Sequence, residues 1–569
     1  WDSIAQYFEI QWKKPYEQVV DNPKKMPGAK WFTGGELNFS ENLLAKGEEG
    51  DIAILSYDES GKREEISFGE LRGQVGSLIQ GLENLGVKPG DRVAAYMPNI
   101  SETVIAMLAA TALGAVWSSC SPDFGFQGVL DRFGQIEPKI LFTTPGYLFK
   151  GKWISIQDKV NQIIKAIPSL EKVILVPYRH DHGNSLPEGD NLVSWQSLLE
   201  NPKEPKYQYF SFQHPVYIMY SSGTTGLPKC IVQGPGVFLN HFKELSLHCD
   251  LKKGDRIFYF TTCGWMMWNW LASSLGLGAT IVLYDGSPFA HGPETLWKMA
   301  EETQLKIFGT SAGYLHALKD AEYTPSSLNL NNLSTILSTG APLSKEGFEY
   351  VYDKIKRDLQ LSSISGGTDL NGCWALGCPL LPVYSGELQC RGLGMDVDVL
   401  DEKGNSLRNQ PGELVCKSAF PSMPLYFWKD EDGQKYHQAY FAYYPGIWRH
   451  GDFAELTDRG TMIIYGRSDA TLNPGGVRMG TAEFYRVLEN LEEIRDSVVV
   501  GLPIEGEEKI LVFLQLKEGL DWTEYLEEKI RKEIKEKLSP RHKPWKILPV
   551  PEIPYTLNMK KVELAIKNI

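Results

Sequence analysis

The sequence predicts an α/β protein with a large N-terminal domain, made of two αβ subdomains and a small β-barrel, and a small α+β C-terminal domain. Three observations support this fold class. Buried-strand patterns alternate with amphipathic-helix patterns along most of the chain, which is typical of parallel sheets with crossover helices. Short alternating strands with glycine turns follow this region. A smaller αβ pattern then closes the sequence.

The first subdomain is predicted over residues 1–205. A capping box, Ser67-Phe-Gly-Glu70, precedes apolar residues at helical spacing, and Gly86 ends that helix. A strand is expected at 92–97 and a helix at 101–113. Further buried strands are expected at 139–142 and 173–176.

The remaining units follow from similar patterns. Residues 181–210 are rich in glycine, proline and polar groups and indicate a linker. The second subdomain, 206–384, has strand patterns at 256–260, 280–284 and 333–337. Short strands at 397–400, 412–416 and 462–466 indicate a barrel over 385–468. The C-terminal domain, 469–569, combines helices at 481–488 and 522–538 with strands at 497–501 and 510–516.

Composition narrows the class of protein. A chain of 569 residues exceeds one hydrophobic core, so roughly three or four units are expected. The net charge of −13 disfavours a nucleic-acid partner. The eight cysteines form no CxxC pair, which fits a reducing cytoplasm better than a zinc site or disulfide framework. The longest apolar run, 104–117, is shorter than the roughly 20 residues that cross a bilayer. The sequence also has no signal-peptide pattern. We therefore expect a cytoplasmic protein without a membrane partner. No pattern predicts the oligomeric state.

The most informative segment runs from Tyr220 to Lys229 and reads Tyr-Ser-Ser-Gly-Thr-Thr-Gly-Leu-Pro-Lys. Hydroxyls and glycine amides offer many donors to a polyphosphate, and the lysine adds a positive charge. The glycine spacing differs from that of a Walker A loop. A flexible surface turn is the alternative, but two threonines and a lysine between two apolar strands are unusual for such a turn.

Further glycine and hydroxyl motifs follow in a characteristic order. They are Ser338-Thr-Gly-Ala-Pro-Leu343, Ser365-Gly-Gly-Thr-Asp369, His450-Gly-Asp452, Tyr465-Gly-Arg-Ser-Asp469 and Asn473-Pro-Gly-Gly-Val-Arg-Met-Gly480. Each alone is more often a connector. Together with the hydroxyl-rich loop they resemble the adenylate-forming superfamily, which includes acyl-CoA synthetases, luciferases and the adenylation domains of peptide synthetases. The resemblance covers nearly the whole chain.

The resemblance implies an activity and a mobile C-terminal domain. Such enzymes convert a carboxylate and MgATP to an acyl-adenylate with release of pyrophosphate, and then transfer the acyl group to a thiol, here that of CoA. ATP, Mg²⁺ and CoA are therefore expected as cofactor and co-substrates. The chemistry suits a site of fixed cations and donors, because negative charge accumulates at the α-phosphate.

The resemblance also implies roles for particular residues. The β- and γ-phosphates would be held by Ser221, Ser222, Gly223, Thr224, Thr225, Gly226 and Lys229. Gly340, Ala341 and Pro342 would flank the adenine, Asp452 and Arg467 would lie at the ribose, and Arg478 near the phosphates. Gly367 and Thr368 would lie at the α-phosphate, with Asp369 toward magnesium. Most members have Glu at that last position, so Asp369 is a departure.

The C-terminal segment Ile553-Pro-Tyr-Thr-Leu-Asn-Met-Lys-Lys561 resembles the family's lysine motif, with Asn558-Met559 in place of Ser-Gly. By register Lys560 is the catalytic lysine, with Lys561 as the alternative assignment. The resemblance implies Thr368 and Arg478 as the other catalytic residues. Two solvated lysines in a catalytically idle nucleotide-binding homologue are the other interpretation. Asp469 matches the family's hinge, Gly476 would face the pantetheine arm of CoA, and Arg531 would contact the CoA nucleotide unless it only pairs with Glu527.

The acid is suggested by two further segments. Gly366 occupies the place where acetate-using members carry a tryptophan, which predicts room for a longer acyl chain. The string Gly264-Trp-Met-Met-Trp-Asn-Trp270 closely resembles acetoacetate–CoA ligases and places Trp265, Met266, Met267, Trp268 and Asn269 at the acyl pocket. Asn269 or an indole N–H of Trp265, Trp268 or Trp270 would bind the β-keto oxygen. Activation of butyrate or propionate is the alternative within the family. An adenylation domain of a peptide synthetase is less expected, because no carrier domain follows Ile569.

Overall fold

The computed structural model describes residues 1–178, 191–200, 202–221, 227–468, 470, 472, 479–504, 507–538, 542–555 and 561–567. Two large sheets with parallel centres dominate the N-terminal part of the chain. Antiparallel strands extend each sheet at one edge. The predicted α/β class is confirmed by this arrangement.

The first sheet has eight strands, of which the first six in spatial order are parallel to one another. In spatial order these strands are Leu192–Ser194, Lys172–Leu175, Ile140–Thr143, Arg92–Tyr96, Val116–Cys120, Tyr217–Ser221, Lys229–Gln233 and Tyr426–Phe427.

The second sheet has seven strands, and its first six are parallel. In spatial order they are Gln360–Ser363, Thr335–Thr339, Ile307–Ser311, Arg256–Tyr259, Thr280–Asp285, Ile52–Asp58 and Arg63–Ser67.

Smaller sheets complete the molecule. Where the sequence predicts a barrel, the structure has a four-stranded antiparallel sheet of Val397–Leu400, Pro411–Cys416, Trp448–Leu456 and Met462–Arg467. The C-terminal part has a sheet of Ile494–Ile504, Glu507–Leu516 and Lys546–Pro549. The other short strands are Trp12–Lys14, Gln18–Val20, Trp31–Thr33, Glu36–Leu37, Gly146–Phe149, Lys152–Ser155, Phe210–Ser211, Ser365–Gly367, Gly372–Leu376 and Cys390–Arg391.

Helices cover the faces of these sheets. The α-helices are Asp2–Tyr7, Phe39–Leu44, Phe68–Asn84, Ser101–Ala112, Phe126–Ile136, Gln157–Ala166, Trp195–Leu198, Gly236–Phe242, Met266–Ala272, Thr295–Glu302, Ala312–Asp320, Lys345–Tyr350, Gln434–Tyr440, Thr481–Leu488, Glu524–Lys537 and Glu563–Lys567. Two π-helical turns, Lys243–His248 and Val351–Ile355, and a 3₁₀ turn, Ser273–Leu277, continue three of them.

Helix Ser101–Ala112 lies in the main hydrophobic core. Every residue of this helix except Glu102 is buried. Its core cluster also contains Val93 of the first sheet and Ile257 of the second, so one continuous core joins both sheets. The C-terminal lobe, which we define as the described residues from 470 onward, has a core cluster of its own.

Most predicted elements are confirmed with boundaries that differ by one or two residues. The capping box at Ser67 and Glu70 is present and begins helix Phe68–Asn84. The strand predicted at 333–337 lies at Thr335–Thr339. Within the segment predicted as a linker, the described residues include strand Leu192–Ser194 and helix Trp195–Leu198, because the strand pairs with Lys172–Leu175.

The two sheets interleave along the sequence. Strand Ile52–Asp58 belongs to the second sheet, whereas strands Tyr217–Ser221 and Lys229–Gln233 belong to the first. The strands therefore cross the predicted subdomain boundary near residue 205. Within the described part of the chain, no helix combines the length and apolar character that crossing a membrane requires.

Candidate active site

The predicted site segments follow the carboxyl ends of parallel strands. Ser221, Tyr259, Thr339 and Ser363 are the last residues of four such strands. Ligands of open α/β sheets bind at this edge, because the loops after the strands converge there. The hydroxyl of Ser221 is buried and has no hydrogen-bond partner among the described residues.

Lys229 and Asp369 come together at this edge. The Lys229 ammonium donates to Asp369 Oδ1 at 2.9 Å, and the Tyr440 hydroxyl donates to the same oxygen. The Gln233 amide donates to the main-chain carbonyl of Asp369 at 2.9 Å. Burial opposes ionisation of the Asp369 carboxyl, but Lys229, His450 and Tyr440 outweigh it and hold its pKa below the usual range. Asp369 is thus an ionised carboxylate in a largely enclosed site.

Tyr440 is a site residue that the sequence analysis does not find. It ends helix Gln434–Tyr440, and its ring stacks on Trp448 with a centroid separation of 3.8 Å. The Lys229 ammonium lies 5.0 Å from the centroid of the same ring. Tyr440 therefore supports both members of the Lys229–Asp369 pair. Its only sequence signal is an aromatic-rich stretch, which is equally typical of a core.

Asp452 and Arg467 form a second charged pair, on adjacent strands of the four-stranded sheet. The Arg467 guanidinium donates to Asp452 Oδ1 at 3.0 Å and to the His450 carbonyl at 3.3 Å. His450 Nε2 lies 3.6 Å from Asp452 Oδ2, and burial lowers the pKa of this imidazole. A Cβ on Gly367 would lie 3.0 Å from His450 Cε1, so the imidazole packs directly on the Gly367 backbone. His450 thus links the two charged pairs.

The segment Gly340-Ala341-Pro342 leaves strand Thr335–Thr339 through a turn. Gly340 has a φ of +91°, a conformation that side chains disfavour, so glycine suits this position. The Thr339 hydroxyl donates to the Ile364 carbonyl at 2.9 Å. This bond fixes the turn beside the strand that leads to Thr368.

The aromatic segment forms the start of helix Met266–Ala272 and is buried. Trp268 donates its indole hydrogen to Asn99 Oδ1 at 3.0 Å, and Trp270 donates to Glu244 Oε2 at 2.9 Å. Both indole N–H groups thus already donate to buried side chains. The indole N–H of Trp265 has no hydrogen-bond partner among the described residues.

Asn269 lines a small, partly open cavity of about 10 Å³, which Ser118, Tyr217 and Gly264 also line. A space of this size holds about one water molecule. It is too small for an acyl chain. Met266 and Met267 are buried in the main core cluster.

Gly366 lies in a tight strand pairing. A Cβ at this position would be 2.0 Å from the Gly372 carbonyl oxygen and 2.7 Å from Cys373 Cα. The glycine is therefore required by the close approach of strand Gly372–Leu376. That Gly366 leaves room for a longer acyl chain stays a prediction.

Several predicted residues lie outside the described residues: Ser222, Gly223, Thr224, Thr225, Gly226, Asp469, Gly476, Arg478 and Lys560. Arg531 is described, and it binds Glu527 at 2.6 and 2.9 Å as well as the Pro544 carbonyl. The alternative pairing predicted for Arg531 is therefore present. Lys561 is also described, and it binds carboxylates of the C-terminal lobe.

The protein-family model described as AMP-binding enzyme matches residues 44–427. This range contains all strands of both large sheets. The chain belongs to the AMP-binding enzyme family. A model of the acetyl-coenzyme A synthetase N-terminus matches residues 1–43. The predicted membership of the adenylate-forming superfamily is confirmed.

Individual members of the AMP-binding enzyme family resemble the chain over its full length. The acetoacetyl-coenzyme A synthetase of Rhizobium meliloti (strain 1021) is 45% identical over 100% of this chain and 88% of its own length. The acetoacetyl-CoA synthetase of Mus musculus is 42% identical over 100% of this chain and 86% of its own.

Two solved structures are similar to the chain. An acetoacetyl-CoA synthetase from Streptomyces lividans matches with a TM-score of 0.95 and 44% identity, over 100% of this chain and 87% of its own. An anthranilate CoA ligase, AuaEII, in complex with anthranoyl-AMP matches with a TM-score of 0.79 at 18% identity, over 94% of this chain and 97% of its own. The latter likeness supports the fold alone.

Proposed function

We propose that this chain is an AMP-forming acid–thiol ligase that joins acetoacetate to CoA. The single observation that carries the proposal is the full-length identity of 45% to a relative named acetoacetyl-coenzyme A synthetase. ATP and acetoacetate give acetoacetyl-AMP and pyrophosphate. The CoA thiol then attacks the acyl carbon, and AMP leaves. Joining the carboxylate to AMP supplies a stable leaving group in place of oxide.

The charged residues at the sheet edge suit the first half-reaction. Lys229 brings a fixed cation to the end of the hydroxyl-rich loop, where the triphosphate would lie. Gly367 and Thr368 would present backbone and hydroxyl donors to the α-phosphate, which gains charge in the transition state. Asp452 would accept hydrogen bonds from the ribose hydroxyls, with Arg467 holding its carboxylate in place.

Asp369 fits the expected magnesium ion. Mg²⁺ in nucleotide sites is usually bound by one or two carboxylates together with substrate phosphates. Asp369 is such a carboxylate, ionised and neighboured by Lys229 at the same edge. When bound, the ion would neutralise charge on the phosphates. Lys229, which lies beside Asp369, would bind a phosphate oxygen.

Selection of acetoacetate is proposed to depend on Trp265. The β-keto oxygen of this acid needs a donor, and Trp268 and Trp270 already donate to Asn99 and Glu244. Asn269 faces a cavity too small for the acid. The indole N–H of Trp265 is the remaining candidate of the four. Its loss would leave the keto oxygen without a partner in an otherwise apolar environment.

The proposal is tested by product analysis with the purified chain. Acetoacetate, ATP, Mg²⁺ and CoA are expected to yield acetoacetyl-CoA, AMP and pyrophosphate in equal amounts. Acetate, propionate and butyrate serve as comparators and are expected to have lower kcat/KM. Release of ADP in place of AMP, or equal kcat/KM for butyrate, would contradict it. The eight free cysteines are consistent with the reducing cytoplasm, where we expect the enzyme to work.

A further inference from the structure

Lys561 is held tightly within the C-terminal lobe. Its ammonium donates to Glu489 Oε1 at 2.9 Å and to the Ser497 carbonyl at 2.7 Å, and it lies 3.0 Å from Asp496 Oδ1. The same ammonium lies 4.0 Å from the centroid of the Tyr485 ring. Burial opposes the charge, but the two carboxylates outweigh it and raise the pKa of Lys561. Lys561 is therefore positively charged, and its ammonium is bound by two carboxylates and a carbonyl of the C-terminal lobe. We call it the anchor of the tail.

Glu489, which binds Lys561, also lies close to the N-terminal part of the chain. It follows helix Thr481–Leu488, and its second oxygen, Oε2, lies 3.9 Å from Nδ1 of His316. His316 belongs to helix Ala312–Asp320 of the N-terminal part. One carboxylate thus faces Lys561 on one side and His316 on the other. A second contact between the lobes lies next to it, where the Asn490 amide donates to Glu346 Oε1 at 2.8 Å.

His316 continues the connection toward the nucleotide loop. Its Nε2 lies 3.2 Å from the hydroxyl of Ser344. Ser344 is the N-cap of helix Lys345–Tyr350 and accepts from the Gly347 amide at 3.1 Å. It also lies two positions after Pro342, the last residue of the predicted adenine loop. A line of close approaches therefore runs from the C-terminal tail through Glu489 and His316 to the base of this loop. The Glu489–His316 step is an approach of 3.9 Å and not a hydrogen bond, and burial lowers the pKa of the His316 imidazole.

We propose that Glu489 is a positioning residue for adenylate formation: it fixes the tail through Lys561 and docks it beside the nucleotide loop through His316. This inference rests on the proposed function. Lys561 immediately follows Lys560, so anchoring Lys561 restricts where its neighbour can lie. A lysine held by two carboxylates is poorly suited to reach a phosphate, so the reacting role falls to Lys560 and the anchoring role to Lys561.

The arrangement predicts that only one half-reaction depends on these contacts. Placing a reactive group within a bound complex is sensitive to small displacements, and a shift of about 1 Å can cost on the order of a hundredfold in rate. Transfer of a preformed acyl group to CoA needs no cation from the tail at the α-phosphate. Loss of the anchor should therefore affect adenylate formation selectively.

The test measures both half-reactions in full-length variants. Adenylate formation is followed by acetoacetate-dependent exchange of labelled pyrophosphate into ATP. Thioester formation is followed from supplied acetoacetyl-AMP and CoA. We expect Lys561→Met and Glu489→Gln to lower the exchange rate by roughly tenfold to a hundredfold while the thioester rate stays at the wild-type level. Lys561→Arg should restore part of the exchange, because arginine keeps a positive charge between the two carboxylates.

A matched control is available in the same lobe. Lys567 lies 3.6 Å from Glu508 and makes an ion pair outside the proposed connection. Lys567→Met should leave both half-reactions unchanged. Equal losses of both half-reactions in Lys561→Met, or an equal loss of exchange in Lys567→Met, would show a merely structural role and overturn the proposal. Exchange at the wild-type rate in Lys561→Met would also overturn it.

The contact between the lobes is tested by a double-mutant cycle. His316→Gln and Glu489→Gln are measured singly and together in the exchange assay. If the two residues act through one contact, the combined loss is smaller than the product of the single losses. Independent, multiplicative losses would overturn the coupling. Absence of exchange in the wild-type chain would instead refute the proposed function, so the two failures are distinguishable.

Discussion

The ammonium group of Lys229 lies 2.9 Å from the carboxylate of Asp369, which is 140 residues further along the chain. This pair joins the first residue of strand Lys229–Gln233, in the first sheet, to a residue just after strand Ser365–Gly367, which belongs to a small three-stranded sheet. It brings one cation and one anion to the place where a nucleotide triphosphate and its metal are expected. The contact is therefore the central structural support for the proposed site.

Replacing Asp369 with asparagine should weaken the use of magnesium. The neutral amide would lack the negative charge that we expect Mg²⁺ to bind. The Mg²⁺ concentration for half-maximal pyrophosphate release should rise by roughly tenfold or more. Tyr440→Phe is the comparison, because it removes one hydrogen bond to the carboxylate and keeps the charge. An unchanged Mg²⁺ requirement in Asp369→Asn would exclude this residue as a ligand.

Replacing Trp265 with phenylalanine should reduce discrimination between acetoacetate and butyrate. The ratio of their kcat/KM values should fall by about tenfold to a hundredfold, since one hydrogen bond of about 1–3 kcal/mol is lost. Trp268→Phe is the matched control, because its indole donates to Asn99. We expect that variant to lose stability and keep the ratio. A larger change of the ratio in Trp268→Phe would show that the donor had been assigned to the wrong tryptophan.

Replacing Gly366 with alanine should destabilise the fold. The added Cβ would lie 2.0 Å from the Gly372 carbonyl oxygen, which forces the two strands apart. Overpacking of this kind costs about 1–3 kcal/mol of unfolding free energy, measurable by denaturant titration. Gly50→Ala is the control, because nothing lies within 4 Å of a Cβ at that position. Equal midpoints for the two variants would contradict the close strand approach.

Stability should fall in mild acid partly because of His248. This imidazole is buried, its Nδ1 lies 2.7 Å from the Gly377 carbonyl, and its Nε2 accepts from the Leu393 amide. Burial lowers its pKa from 6.5 to about 4. The unfolded chain then binds a proton that the folded chain does not, so unfolding free energy is lost as pH falls from about 6.5 toward 4.

The variant His248→Gln should make the unfolding free energy less dependent on pH in that window, by an amount on the order of 3 kcal/mol between its ends. Denaturant titrations at several pH values measure this dependence. The exposed His437→Gln is the control. An identical pH dependence of the His248→Gln variant and the wild type would show that His248 does not titrate as described.

Local signals predict the elements of this fold well, and long-range pairing is predicted poorly. The capping box at Ser67 identifies its helix because the signal lies within four residues. The position of strand Ile52–Asp58 beside Thr280–Asp285 has no local signal. The same distinction holds in the site. Lys229 and Asp369 stand in recognisable motifs, whereas Tyr440 reaches Asp369 from a helix whose sequence has no glycine or hydroxyl pattern.

The aromatic segment illustrates a second limit. The sequence identifies Trp265, Trp268 and Trp270 as equivalent candidates, because all three carry the same donor. Their roles differ only through distant partners, Asn99 for Trp268 and Glu244 for Trp270. Gly366 is a similar case, because a glycine is needed there only where the backbone of Gly372 comes close. Such assignments require three-dimensional contacts.

The interleaving of the two sheets has a consequence for biosynthesis. Strand Ile52–Asp58 needs Thr280–Asp285 as its parallel neighbour, and strand Lys229–Gln233 needs Tyr426–Phe427 as its outer neighbour. Neither sheet can be finished during translation until residues far downstream have left the ribosome. Folding of the nascent polypeptide is therefore expected to be late and slow, because distant segments must meet before either layer gains its full pairing.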